Sequence, residues 1–227
     1  MAEQTLKEKT AKGLFWGGLS NGVQQVLNLV FGLMLARILD ASDYGMVGML
    51  AIFSAIASTI QESGFTAALT NQKEIRHEDY NAVFWFSTLT GVSFYLILFF
   101  CAPLIAQFYD KPELIGLSRI VFLSFLFGGF GIASNAYMFK TLMVKERAKI
   151  DIISLICSGT IGVLLALNGF AYYGLAIQTT AYIGIGSMLK FCYSPWTPTF
   201  LIDWRPLKSM FRSVSYTHLT LPTILLV

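Results

Sequence analysis

With 227 residues, a net charge of +3, 55% hydrophobic side chains and only 13% charged ones, the chain is too apolar for a soluble domain, where about a quarter of residues carry charge. Its mean hydropathy of +0.63, 19 Phe and 19 Gly suit lipid-facing helices that pack closely in a bilayer. Cys101, Cys157 and Cys192 lie in apolar runs without metal-like spacing, which argues against a disulfide framework and against a cysteine metal site.

The first apolar stretch, Leu14 to Ala36, is about 35 Å long as a helix, enough to cross a hydrocarbon core of about 30 Å. Asn21, Gln24, Gln25 and Asn28 interrupt it at i, i+3, i+4 and i+7, so they share one face, with Ser20 beside it. An unpaired amide in hydrocarbon costs several kcal/mol, so this face is expected to avoid lipid and to look into a protein interior or an aqueous cavity. The basic start at Lys7, Lys9 and Lys12 leads into a full-length span, and no cleavable leader is expected.

Six apolar segments follow from the hydropathy, at about 14–36, 44–62, 83–108, 115–139, 150–170 and 174–194. The connections alternate: 37–43, 109–114 and 171–173 are short, whereas 63–82, 140–149 and 195–213 are longer and basic. With residues 1–13 in the cytoplasm, thirteen Lys and Arg fall on the inner side and only Arg37, Lys111 and Arg119 near the outer side. The expected architecture is an all-α membrane protein, a six-helix transmembrane bundle over 14–194 with both ends inside.

The second segment carries Gly48, Ala51, Ser54, Ala55 and Ser58, small enough to let another helix approach, and ends at Glu62. Glu62 is an acid close to the inner end of that span. It fits either an interfacial carboxylate paired with a basic loop or a coupling acid for protons or cations. Arg76 to Asp79 reads as a solvated loop, and His77 has no partner at ligand spacing, so no metal site is expected. In the fourth segment, Gly128, Gly129 and Gly131 suit either a bend or tight packing. Arg119 lies about one turn inside that span and requires water, an acid such as Asp110 or Glu113, or an anionic ligand.

The fifth segment has Ser154, Ser158, Gly159, Thr160 and Gly162 as a packing face. The sixth contributes Gln178, Thr179, Thr180, Ser187 and Lys190, and Gln178 is placed to join the amides of the first helix in a common cavity. Beyond it, Pro195, Pro198 and Pro206 break the helix, and Trp196 and Trp204 suit an interfacial connection over 195–213.

Leu35-Ala36-Arg37-Ile38-Leu39 followed by Asp43-Tyr44-Gly45, then Glu62-Ser63-Gly64-Phe65 with Ala68-Leu69, and Ala106-Gln107-Phe108-Tyr109 leading to Pro112-Glu113-Leu114, carry a resemblance. In their order and separation they resemble the polysaccharide and O-antigen flippases of the multidrug/oligosaccharidyl-lipid/polysaccharide exporter superfamily, especially the lipopolysaccharide or colanic-acid exporter branch. The resemblance implies a fold of twelve to fourteen spans in two bundles, of which this chain looks like the first, with the second bundle as its missing partner. It also implies transport, without covalent chemistry or cofactor, of a lipid-linked oligosaccharide bearing a polyprenyl pyrophosphate. Asn21, Gln24, Gln25, Asn28 and Gln178 would then line a cavity for the sugar, and Arg37, Arg119 and Lys140 would answer the pyrophosphate charge. The family commonly has Arg where this chain has Lys140 and an aromatic where it has Val144, and Lys meets phosphate as a point charge rather than a two-pronged fork. No nucleic-acid partner is expected; the other implied contacts are membrane lipids.

Three alternatives stay in view. A drug or cation antiporter of the same superfamily would use acids deep in the bundle. A polysaccharide polymerase or ligase would present a large outer loop with clustered Arg or His. A scaffold subunit would use the amides only to glue helices together. Separately, Val214 to Thr223 matches one reading frame of a transposon-end adaptor used in DNA sequencing libraries, so 214–227 is expected not to be natural sequence.

Overall fold

The computed structural model describes residues 6–61, 69 and 75–200, with side chains from Phe15 onward except Ile60. Among these, six helices follow one another: α1 Leu6–Ile38, α2 Ala41–Gln61, α3 His77–Phe108, α4 Leu114–Lys140, α5 Val144–Leu167 and α6 Ala171–Tyr193. The first five are long and apolar enough to cross a membrane. At 23 residues α6 has the length as well, but it carries Gln178, Thr179 and Thr180 through its middle. The chain is a multi-pass, all-α membrane protein.

Three helices end alike. Asp110, Leu142 and Gly169 each adopt a left-handed conformation, with φ of 53°, 56° and 82°. The next N–H in each case reaches back five residues, Lys111 to the Ala106 carbonyl, Met143 to Met138 and Phe170 to Leu165, at 2.9, 2.9 and 3.0 Å. These bonds satisfy carbonyls a helix end would leave orphaned, and they reverse the chain in very few residues. The turn at Leu142 corrects the long basic loop expected over 140–149. Helix α5 starts at Val144, so Lys145, Arg147 and Lys149 stand on its first turns. Likewise α3 begins at His77 rather than near 83, because the Asp79 carboxylate accepts from the Arg76 N–H at 2.8 Å and caps the helix.

Packing runs α1 on α5, α5 on α6, α6 on α4 and α4 on α3, with α2 lying more lightly across α4, α6 and α3. The main core gathers Leu50, Leu114, Leu117, Phe122 and Phe125, and a smaller one joins Leu35 and Leu39 to Val163 and Ala166. In α4 the glycines serve close packing, and the helix is continuous. Ser87 Oγ donates to the Gly129 carbonyl at 2.8 Å, Gln61 Nε2 to the Phe125 carbonyl at 2.7 Å, and a Cβ on Gly129 would collide with the Ser87 carbonyl. The small residues of α2 do not all pack inward: Gly48, Ala51 and Ala55 are exposed. Trp196, expected at an interface, is 5% exposed and packs with Tyr80 and Phe84, while Trp85 Nε1 donates to the Thr199 carbonyl at 2.8 Å. Residues 194–200 thereby fold back over the start of α3.

Candidate functional site

Helices α1 and α5 run in the same direction, as Asn21 halfway along α1 shares a groove with Arg147 in the first turn of α5, while Leu35 meets Val163 near both ends. Helix α6 returns antiparallel to α5 through a short turn. This arrangement sets the middle of α1 opposite the middle of α6. Gly162 of α5 makes room between them, since the Gln178 side chain rests where a Cβ would be.

Gln24 and Asn28 of α1 and Gln178 of α6 line one cleft of about 400 Å³, with Ser158, Thr179 and Tyr182. Phe31, Leu155 and Leu175 form its apolar walls. Asn21 lines a second groove of about 210 Å³, together with Ser20, Gln24, Arg147 and Asp151. Gln24 belongs to both and donates through Nε2 to Ser20 Oγ at 2.9 Å, so the two spaces are contiguous along α1. Gln25 is exposed and lines neither, because one helical step turns it about 100° away from Gln24.

The three expected cations do not converge. Arg119 and Lys140 are 21 positions apart on α4, about 31 Å along its axis, so one pyrophosphate cannot bridge them. Arg37 is exposed in the last turn of α1, at the end of the bundle opposite Lys140, which is exposed at the end of α4. Arg119 is half-buried with its guanidinium 4.2 Å from the Phe99 ring centroid. Among the described residues neither Asp110 nor Glu113 forms an ion pair with it, so of the partners considered from sequence the acid is not the one formed. Glu62 lies outside the described residues.

Two charged residues escaped the sequence pattern. Asp151, on the second turn of α5, pairs with Lys190 of α6 at 3.6 Å, both about one-fifth to one-quarter exposed. Asp151 is thus an acid held within the packed length of α5. Arg147, one turn earlier, places its guanidinium 5.5 Å from the Phe139 ring, and its Nε is buried without a hydrogen-bond partner. Their i, i+4 spacing was split in the sequence division between a loop ending at 149 and a span starting at 150, whereas the helix starts at Val144.

Neutral amides and hydroxyls at the cleft, flanked by apolar walls, offer both donors and acceptors to a hydrated, uncharged guest. A bundle of membrane-spanning helices with such a polar cleft defines a class, the multi-pass membrane proteins with a polar space between their spans. Residues 34–225 match the family model described as polysaccharide biosynthesis protein, and the chain belongs to that family. The match overlaps most of 214–227, the stretch whose sequence resembles an adaptor. The chain is 24% identical over 212 residues to the teichuronic acid biosynthesis protein TuaB of Bacillus subtilis, covering 91% of this chain and 43% of that one. It is 27% identical over 142 residues to the lipopolysaccharide biosynthesis protein WzxC of Escherichia coli, covering 63% and 28%. To the succinoglycan biosynthesis transport protein ExoT of Rhizobium meliloti it is 26% identical over 211 residues, covering 92% and 42%. The chain thus spans less than half the length of these relatives. No solved structure matches it.

Proposed function

We propose that this chain is the N-terminal helical bundle of a bacterial plasma-membrane exporter that flips a polyprenyl-pyrophosphate-linked oligosaccharide from the inner to the outer leaflet. The observation that carries the reading is the cleft that brings Gln24, Asn28 and Gln178 together. A sugar headgroup cannot enter hydrocarbon without replacing its bonds to water, and these amides supply donors and acceptors in its place. The names of the relatives, which concern teichuronic acid, lipopolysaccharide and succinoglycan, support a polymeric glycan as cargo.

The N-terminus lies in the cytoplasm on this reading, since the basic end of the bundle holds Lys140, Lys145, Arg147, Lys149 and Lys190. The exposed faces of α1 and α2 await the second bundle of the same protein, and alternating access rocks the two bundles about the cleft. The sugar stays in the protein while the prenyl tail runs through lipid outside. No bond is made or broken, so the protein acts as a transporter and not as an enzyme.

The test is export in cells carrying the continuous reading frame. Gln24→Leu, Asn28→Leu and Gln178→Leu keep side-chain volume and remove the amide, and each is expected to lower surface glycan about tenfold or more at unchanged membrane abundance. Full surface glycan in the triple variant would overturn the reading.

A further inference from the structure

Resting on the export reading, the groove between the middle of α1 and the start of α5 has a chemistry of its own. It is too small for an oligosaccharide, as sites for drug-sized ligands run from about 300 Å³ upward and this one holds about 210 Å³. Its walls are a guanidinium, two amides, a hydroxyl and one carboxylate. The carboxylate, Asp151, is answered by Lys190 from α6. Arg147 is left as the uncompensated cation, with its Nε buried and unpartnered. Ser20 Oγ accepts from Gln24, which leaves its own hydroxyl proton free to donate.

We infer that this groove is a phosphate-ester subsite, with Arg147 as the cation and Ser20, Asn21 and Gln24 as neutral donors. A planar guanidinium presents donors in a fork that matches phosphate oxygens, unlike the Lys140 ammonium. Gln24 links the subsite to the amide cleft, so a pyrophosphate held at Arg147 delivers its attached sugar to Asn28 and Gln178. The position also suits loading, because Arg147 stands in the first turn of α5 at the basic end. Phosphate recognition thereby moves from the dispersed Arg37, Arg119 and Lys140 to a single site. The anion has two possible sources, a polyprenyl diphosphate or the headgroup of an anionic phospholipid.

The test is calorimetric titration of the full chain, in a non-ionic detergent, with farnesyl diphosphate. Arg147→Gln is expected to weaken binding about tenfold or more and Arg147→Lys about threefold, since Lys keeps the charge and loses the fork. Lys145→Gln removes a charge that sits over Trp16 at 5.4 Å outside the groove, and is expected to stay within about twofold. Asn21→Leu, on an exposed position that leaves every charge in place, is expected to cost about threefold and serves if Arg147→Gln does not fold. Displacement by an equal concentration of dimyristoyl phosphatidylglycerol assigns the site to bilayer lipid, and persistence against it assigns the site to the isoprenoid carrier. Either outcome upholds the subsite. Unchanged affinity in a folded Arg147→Gln, equal loss in Lys145→Gln, or no binding by the unsubstituted chain overturns it. Surface glycan, scored separately, tests export: lost phosphate binding with intact export removes only the subsite, and Arg147-dependent binding without export removes only the transport reading.

Discussion

Gln178 of α6 lies directly over Gly162 of α5, with its Oε1 2.7 Å and its own Cβ 2.8 Å from where a Cβ on Gly162 would stand. The glycine is what lets an amide reach the cleft from a helix that otherwise packs tightly on its neighbour. Gly162→Ala is expected to destabilise the bundle by about 1–3 kcal/mol through overpacking. Gln178→Ala made in addition should recover about half of that loss, because the two substitutions share one contact. Unfolding of the four proteins of this cycle in detergent measures the coupling, and strict additivity would show that the close approach carries no energy.

The Asp151–Lys190 pair ties α5 to α6 at the basic end. At under a quarter exposed it lies between a surface pair, worth up to about 1 kcal/mol, and a buried one, whose single truncation costs about 3–5 kcal/mol. Asp151→Asn alone and Lys190→Gln alone are each expected to cost about 1–3 kcal/mol, since each strands a charge. The double substitution should cost less than the two together. Thermal unfolding of the membrane-extracted protein decides this, and equal additive losses would mean the ion pair is not formed.

Arg119 is held by an aromatic face and not by an acid. Phe99→Leu is therefore expected to destabilise α3 against α4, with about 1–2 kcal/mol from the lost cation–π contact beyond the loss of ring volume. Asp110→Asn and Glu113→Gln should change stability by less than about 0.5 kcal/mol, as neither pairs with Arg119. A larger effect from either carboxylate than from Phe99 would restore the acid partner. Denaturation midpoints for the three variants give the ranking.

Helix number and order were legible because each apolar run is about as long as a bilayer requires, and Gln178 lines one cleft with Gln24 and Asn28 of the first helix. Helix starts were not legible where charge sits on a helix. Hydropathy falls at Lys145, Arg147 and Lys149, yet backbone geometry begins α5 at Val144 because Leu142 takes a left-handed turn that no composition signals. That shift separated Arg147, counted in the loop, from Asp151, already inside the span. The amide stripe was partly legible: period alone puts Gln24 and Gln25 on one face, but only the placement of α5 and α6 separates the cleft-lining Gln24 from the exposed Gln25. For the cations, position along the membrane was legible, since Arg119 and Lys140 already fell on opposite sides, but the Phe99 ring that faces Arg119 was not.

The reading frame itself yields the last prediction. The adaptor reading of residues 214–223 sits against a family match that continues to residue 225, and the chain covers only 43% of TuaB. Two independent features point to a longer protein: the low coverage of every relative compared, and the exposed small residues Gly48, Ala51 and Ala55 on α2, which suit close approach by another helix. Long-read sequencing across the codons for Met210 to Val227 is expected to show the frame continuing past Arg212 into six or more further apolar segments. The chain as given should then fail to restore glycan export, whereas the continuous frame should restore it. A natural stop at Val227, with export by the 227-residue chain, would instead require two copies of this bundle to form the transport path. Cross-linking through Cys introduced at Gly48 would detect that dimer directly, because nothing among the described residues lies within 4 Å of a side chain placed there.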